Sequence, residues 1–434
     1  MKPLFSAESL NPGVRPREVF GWAMYDFANS GYTTVVITAV FAAYFVGGVA
    51  GGASWATLAW TVGLSLSYAI VMLTMPGLGA WADRRAAKKR LLMIFTAGCV
   101  LSTAALAWVG PGQVALGLGL LVLSNTFYSY GESLTASFLP ELATPQAMGR
   151  VSGWGWALGY IGGMLALGIC LAYVLSAQAR SEPAASFVPV TMLITAGIYG
   201  AAALVTFALM REHAAPRPDA ARPEGVLASL VQLRQTWREA APYRDFKQLM
   251  ACAVAYQAGV AVAISLAAIY AEQVIGFAPQ ETMVLIFVLN IAAFVGAFVF
   301  GYVQDALGHK RALALTIVGW VLTCALAALS TTKGMFWWAA AVAGVCMGSS
   351  QSAGRAMAGV LVPPARIAEF FGLWTFAIRL ASIVGPLSYG LITWLTGGNQ
   401  RLAIASTALL FVLGLVLLRP VDMARGQHAA QAQA

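Results

Sequence analysis

The chain has 434 residues, 59% of them hydrophobic and only 10% charged, with a mean hydropathy of +0.75. A soluble globular chain carries roughly 25% charged residues, so a soluble fold is excluded and lipid is the solvent for most of this sequence. The net charge of +9 is assigned to membrane topology and anionic headgroups, and no nucleic-acid partner is implied.

Residues 1–17 are polar, with Pro12 and Pro16, and lead into an apolar run far longer than the about 7 to 15 residues of a signal-peptide core. No cleavable signal is expected. Apolar runs of about 17 to 25 residues, the length a helix needs to span about 30 Å of hydrocarbon, predict an all-α polytopic membrane protein with twelve transmembrane helices. The first six fall near 20–46, 55–80, 90–109, 113–139, 150–178 and 187–210. The second six fall near 247–271, 280–304, 311–330, 335–361, 369–396 and 401–419. Two six-helix halves, 20–210 and 247–419, are thus expected between an N-terminal segment over 1–19, a central loop over 211–246 and a tail over 420–434. Within the loop, Val226 to Glu239 has the pattern of a short amphipathic helix on the membrane surface.

Of the 26 basic residues, 21 flank the helices on the side of the termini and central loop, and three (Arg180, Lys333, Arg401) flank the other. The positive-inside rule then makes both termini cytoplasmic, in what is expected to be a bacterial inner membrane. The remaining two, Arg355 and Arg379, fall inside predicted helices ten and eleven. The five cysteines lie in apolar segments without Cys-x-x-Cys spacing, and the three histidines lie in predicted loops or the tail, so neither metal nor cofactor is expected.

The first helix opens on Gly21 to Thr34, where Asp26, Asn29 and Thr33 recur at spacings of three and four and make one face polar. At the end of helix 2 the chain reads Gly79-Ala-Trp-Ala-Asp83-Arg84-Arg85, and at the end of helix 8 Gly301-Tyr-Val-Gln-Asp305-Ala-Leu-Gly308-His309-Lys310-Arg311. The two aspartates are 222 residues apart and each closes the second helix of a half, which is an internal repeat. Glycine admits a close neighbour, and an aspartate at a helix end followed by basic residues can latch one half to the other.

Ionisable side chains inside the membrane cost about 2.5 to 3.5 kcal/mol at a helix centre, and Asp26, Glu132, Arg355 and Arg379 therefore need partners or a wet cavity. Glu272, at the outer end of helix 7, is expected to reach water. Glu132 and Arg355 stand 223 residues apart, each eight residues before a proline, in the fourth helix of its half. Equivalent positions in two halves related by an axis along the membrane normal would place this acid and base face to face across the midline. Helix periodicity adds Asn125, Tyr128 and Ser129 beside Glu132, Gln351 and Ser352 beside Arg355, and Tyr256 and Gln257 on helix 7. Trp154-Gly155-Trp156 and Trp337-Trp338 read as packing or interfacial belt.

The repeated Gly-x-x-x-Asp pattern resembles motif A of the major facilitator superfamily, although the first copy has Ala86 and Ala87 where glycine is usual and the second has Ala306 in the first basic place. Tyr25-Asp26-Phe27-Ala28-Asn29-Ser30, Ser137 to Leu142, Gly159 to Gly163, Ala368 to Gly372 and Gly385-Pro386 resemble the vacuolar effluxer-like branch of that superfamily. The resemblance implies the major facilitator fold, with helices 1, 4, 7 and 10 lining a central pathway, and in fungal members it is associated with amino-acid export. A secondary transporter of a small polar or zwitterionic solute is expected, an amino acid or peptide being one such cargo, with protons a candidate coupling ion and a monomer the working unit. Arg355 would hold a carboxylate, while Asp26 or Glu132 would hold an ammonium or a proton. The alternatives are an efflux pump for hydrophobic or cationic compounds and a non-transporting membrane scaffold or receptor. An enzyme is not expected, since the chain has no nucleophile-base arrangement, phosphate loop or dinucleotide fingerprint.

Overall fold

The computed structural model describes residues 7–214, 234, 235, 237–277 and 279–432. Among these residues the regular structure is helical, apart from one isolated bridge between Leu10 and Ala143. Lipid offers no hydrogen-bond partner, so a chain this apolar satisfies its backbone groups inside helices.

Helix α1 covers Pro16–Tyr32 and continues through wide π turns at Thr33–Ala39 and Phe45–Val49, with Phe41–Tyr44 between them. It starts before the predicted residue 20, because Pro16 needs no N–H in the first turn and Glu18 Oε1 accepts the Arg15 N–H at 3.2 Å. There follow α2 (Ala56–Arg85), α3 (Lys88–Ala105), α4 (Val114–Leu142), α5 (Met148–Ala179) and α6 (Ala184–Leu209). The second set is α7 (Arg244–Tyr270, extended by a π turn at Ala271–Ile275), α8 (Pro279–Leu307), α9 (His309–Leu329), α10 (Lys333–Leu361), α11 (Ile367–Leu395) and α12 (Gln400–Leu418). A short α13 covers Met423–Gln431.

Among the described residues, eleven helices are long and apolar enough to cross a membrane, and α10 is not one of them. Its polar run is kept from lipid: residues 348–350 and 352–361 are all buried. Small residues make this possible. A Cβ at Gly348 would lie 1.9 Å from the Ala293 carbonyl oxygen, and one at Gly296 would lie 2.2 Å from that of Val345, so α8 and α10 touch backbone to backbone.

One core fills the first six helices around Trp22, Tyr25, Tyr32 and Phe138, and a second fills the last six around Phe246, Tyr256, Trp320 and Phe411. Leu58, Leu101, Leu204, Leu315 and Leu409 stand exposed on the outside, as lipid-facing side chains do. Trp338 is exposed near the start of α10 in the manner of an interfacial belt, while Trp337 packs 5.9 Å from Phe277. Glu272 is exposed, as its position predicts.

The described parts of both terminal segments lie on the face that also carries the described part of the central segment, here termed the basic face. Asn11 Nδ2 donates to the carbonyls of Pro140 and Glu141 at 2.9 Å each, and Arg425 of α13 pairs with Asp245 of α7 at 2.6 Å. Of the stretch predicted as a surface helix, residues 226–233 and 236 lie outside the described residues, while 234, 235 and 237–239 are helical. Glu239 there pairs with Arg366, between α10 and α11, at 2.7 Å.

Candidate pathway and gate

Each aspartate of the repeat ends one half's second helix and caps the fifth helix of the other half. Asp83, in the last turn of α2, accepts the N–H groups of Ala368 and Glu369 at 3.1 and 2.9 Å, at the start of α11. Asp305, in the last turn of α8, accepts those of Gly149 and Arg150 at 2.9 and 3.2 Å, at the start of α5, and Arg150 Nε adds a bond of 2.9 Å. A carboxylate placed there satisfies N–H groups that the helix cannot pair itself and meets the positive end of its dipole. Helices approach closely at both glycines: a Cβ at Gly79 would lie 2.3 Å from the Ala368 oxygen, and one at Gly301 would lie 3.0 Å from the Arg150 Cα.

The two latches differ in their cations. Beside Asp83, at 4.0 Å, is Lys88, which is buried and bonded to Glu141 of α4. Arg84 is half-buried, Arg311 is exposed, and Lys310 Nζ donates to the Arg419 carbonyl at 2.7 Å. Glu141 belongs to a segment that the sequence singles out, but nothing in the sequence shows that it meets Lys88.

The four charges that the sequence places inside the membrane form two ion pairs across the halves, with partners other than those symmetry predicts. Arg355 of α10 donates through Nη1 to Asp26 of α1 at 2.7 Å. Glu132 of α4 instead accepts from Nη2 of Arg379 on α11. Arg355 also donates through Nε to Ser152 Oγ at 3.1 Å and through Nη2 to the Ser152 carbonyl at 2.9 Å. Its guanidinium lies 4.8 Å from the Trp22 ring and 5.4 Å from that of Trp156, and Trp22 is fixed by a 2.8 Å bond from Nε1 to the Thr135 carbonyl. Gly155 makes room, since a Cβ there would lie 2.4 Å from Asp26 Oδ2. Trp156 is therefore part of the charged centre and not an interfacial belt, and Trp154 donates across the halves to Tyr302 at 3.1 Å.

The other predicted pathway residues divide between the centre and the packing around it. Tyr128 stacks on Tyr32 with centroids 4.9 Å apart and takes a 3.1 Å bond from Thr33 Oγ1. Asn125 donates to Ser67 of α2 at 2.5 Å. Gln257 and Gln351 meet, with Nε2 of the former 2.6 Å from Oε1 of the latter. Asn29 turns away from Asp26 and accepts the Tyr199 hydroxyl of α6 at 2.8 Å. Tyr256 is fully buried within the second half, beneath Gly354, whose Cβ would lie 2.2 Å from the tyrosine oxygen. A further link is Ser133, which accepts the Thr375 hydroxyl of α11 at 2.7 Å. Among the described residues no group of three or more His, Cys, Asp or Glu is placed to hold a metal ion.

Of these inter-half contacts, those of Asp83 and Asp305 lie at helix ends on the basic face, whereas Glu132 and Arg379 meet near the middle of α4 and α11.

A family model described as "Vacuole effluxer Atg22 like" matches residues 44–149 and 144–431. An uncharacterized MFS-type transporter of Bacillus subtilis, YxiO, is 30% identical over 95% of this chain and 96% of its own length. Autophagy-related protein 22-1 of Aspergillus niger is 23% identical over 65% of this chain, which spans 48% of that protein. Among solved structures, the human organic anion transporter MFSD10 superposes with a TM-score of 0.73 at 15% identity, over 93% of this chain and 99% of its own. The E. coli fucose:proton symporter FucP gives 0.67 at 15% identity, over 94% and 97%. With its repeated aspartate caps across the halves, the twelve long helices among its described residues and a family match that covers most of its length, the chain belongs to the Atg22-like family of major facilitator superfamily transporters.

Proposed function

We propose that this transporter is a secondary active carrier of a small polar or zwitterionic solute, such as an amino acid or short peptide. It works by alternating access, with the basic face on the cytoplasmic side, as the excess of Lys and Arg there supports. The observation that carries the proposal is the pair of acid–arginine contacts, Asp26 with Arg355 and Glu132 with Arg379, at the junction of the halves. Charges of both signs in one low-dielectric pathway suit a solute that itself carries both signs, and ion pairs between rocking halves give the solute something to exchange with. Asp26 and Glu132 are the acids available to carry a coupling proton. The effluxer description of the family supports export.

The test is flux in proteoliposomes containing a radiolabelled amino-acid mixture, with and without an imposed pH gradient. Gradient-driven flux by the wild type that is lost in Glu132→Gln supports the proposal. Equal flux in wild type, Asp26→Asn and Glu132→Gln at every pH would remove the proton-carrier role.

A further inference from the structure

The two ion pairs that join the halves are built differently. Arg355 belongs to the second half, yet all three of its guanidinium nitrogens are bonded to groups of the first: Asp26 Oδ2, Ser152 Oγ and the Ser152 carbonyl. Trp22 and Trp156, also of the first half, lie within 5.4 Å of its guanidinium carbon. The Arg355 side chain is 7% accessible and that of Asp26 13%. Its charged end is already taken up by the protein.

Glu132 and Arg379 differ from this in the exposure of the acid and in the bonding of the arginine. Glu132 keeps 37% of its side chain accessible, although Arg379, at 9%, is buried. Arg379 is bonded to Glu132 through Nη2, while its Nε is buried with no hydrogen-bond partner. Its guanidinium rests on the Tyr68 ring at 5.0 Å. A buried N–H without a partner is costly, and beside an accessible carboxylate it is a donor held ready for an arriving acceptor.

We infer that Asp26–Arg355 is the lock that holds the halves together near the basic face and does not contact cargo, whereas Glu132–Arg379 is the pair that cargo opens. This assignment rests on the transport function proposed above. A solute with both signs exchanges one internal ion pair for two of its own: its cationic group meets Glu132, and its oxyanion takes Nη2 and Nε of Arg379. Arg355 acts as a positioning residue. Its grip sets how often the basic face opens, and its release requires the Trp22–Trp156 socket to part.

The experiment uses the full chain in nanodiscs, with spin labels on cysteines replacing the exposed Arg90 and Arg311 on the basic face of the two halves. Loss of a buried charge partner is expected to raise the ratio of separated to closed labels about tenfold or more in Arg355→Gln and Asp26→Asn. Glu132→Gln and Arg379→Lys keep the wild-type distance. Asp26→Asn preserves the shape of the socket and, with monodisperse elution as a check, serves if Arg355→Gln fails to fold.

The second arm is a thermal-shift titration with an equimolar mixture of the proteinogenic L-amino acids. The wild type and Asp26→Asn are expected to shift, and Glu132→Gln and Arg379→Lys to lose the shift. Unchanged label distances in both lock variants overturn the lock. A wild-type shift retained in Glu132→Gln and Arg379→Lys overturns the cargo assignment. No shift in the wild type overturns the amino-acid cargo on which that assignment rests, while the distance measurement still decides the lock.

Discussion

Ala86 and Gly308 occupy the same step of the repeat, three residues after their latch aspartates, and both have positive φ, +49° and +87°. A left-handed conformation costs an L-residue about 1–2 kcal/mol, against which glycine carries an unfolded-state entropy penalty of about 0.4–1 kcal/mol. Ala86→Gly is therefore expected to stabilise the protein by about 0.5 kcal/mol. Gly308 has φ +87° with ψ +144°, outside the left-handed helical region and in territory that essentially only glycine occupies, so Gly308→Ala is expected to destabilise the protein by about 1–3 kcal/mol through the backbone alone, since no heavy atom within 4 Å would meet the new Cβ. Denaturant unfolding of the two variants checks this: shifts of the same sign would show that backbone conformation does not decide the residue at this step.

The latch aspartates predict a conformational defect more than a folding defect, because each joins helices of different halves. Asp83→Asn and Asp305→Asn replace charge-assisted bonds with neutral ones, a loss of about 1–1.5 kcal/mol that falls only on the state closed at the basic face. Labelling of a cysteine introduced beneath the latch should quicken about tenfold in each variant. Thermal stability should change little. A large loss of stability with unchanged labelling would count against the gate role.

Sequence reasoning reached the fold, the repeat and the four charges that form the two ion pairs, because lipid makes helix length and intramembrane charge conspicuous in a chain. It did not reach the pairing. The 223-residue offset places Glu132 and Arg355 at matching positions in the two halves, but a repeat does not say which neighbouring helix lies nearer across the boundary. Arg355 reaches α1 and α5, so Glu132 is left to Arg379 on α11. Asn29 shows a finer limit. Three residues at about 100° each leave it about 60° from Asp26 around the helix, enough for Tyr199 of α6 to claim its side chain. Ser152, Trp22 and Trp156 were not legible as site residues at all, since only tertiary packing brings their atoms around a guanidinium.

Two glycines separate packing within a half from packing between halves. At Gly348 a Cβ would lie 1.9 Å from the Ala293 carbonyl oxygen, inside the second half, where α8 and α10 must fit in every state of the cycle. At Gly79 the obstacle is the Ala368 carbonyl oxygen, 2.3 Å away in the opposite half. Gly348→Ala is expected to lower stability by about 1–3 kcal/mol, as overpacking does. Gly79→Ala should fold, because separating the halves relieves the clash, and its transport should fall through loss of the closed state. Melting temperature and flux, measured on both variants, should therefore separate in opposite ways.

Where the first half gives way to the central segment, Glu212 accepts the Lys89 N–H at 2.7 Å with one carboxylate oxygen, while the other is buried without a partner. Lys89 Nζ meanwhile donates to the carbonyls of Phe207 and Met210 near the end of α6. Burial pushes the Glu212 carboxyl above its ordinary range, against the opposing pull of the Lys89 N–H and the Lys88 charge. A carboxyl whose pKa is higher in the folded than in the unfolded state stabilises the fold below its unfolded pKa, about 4.3, and loses that contribution as pH rises through the folded value. Glu212→Gln has no such titration. The melting temperature of the wild type relative to Glu212→Gln should therefore fall as pH is raised from about 4 to about 8. A difference that grows with pH over that range would mean that Lys88 and Lys89 outweigh burial and hold Glu212 ionised.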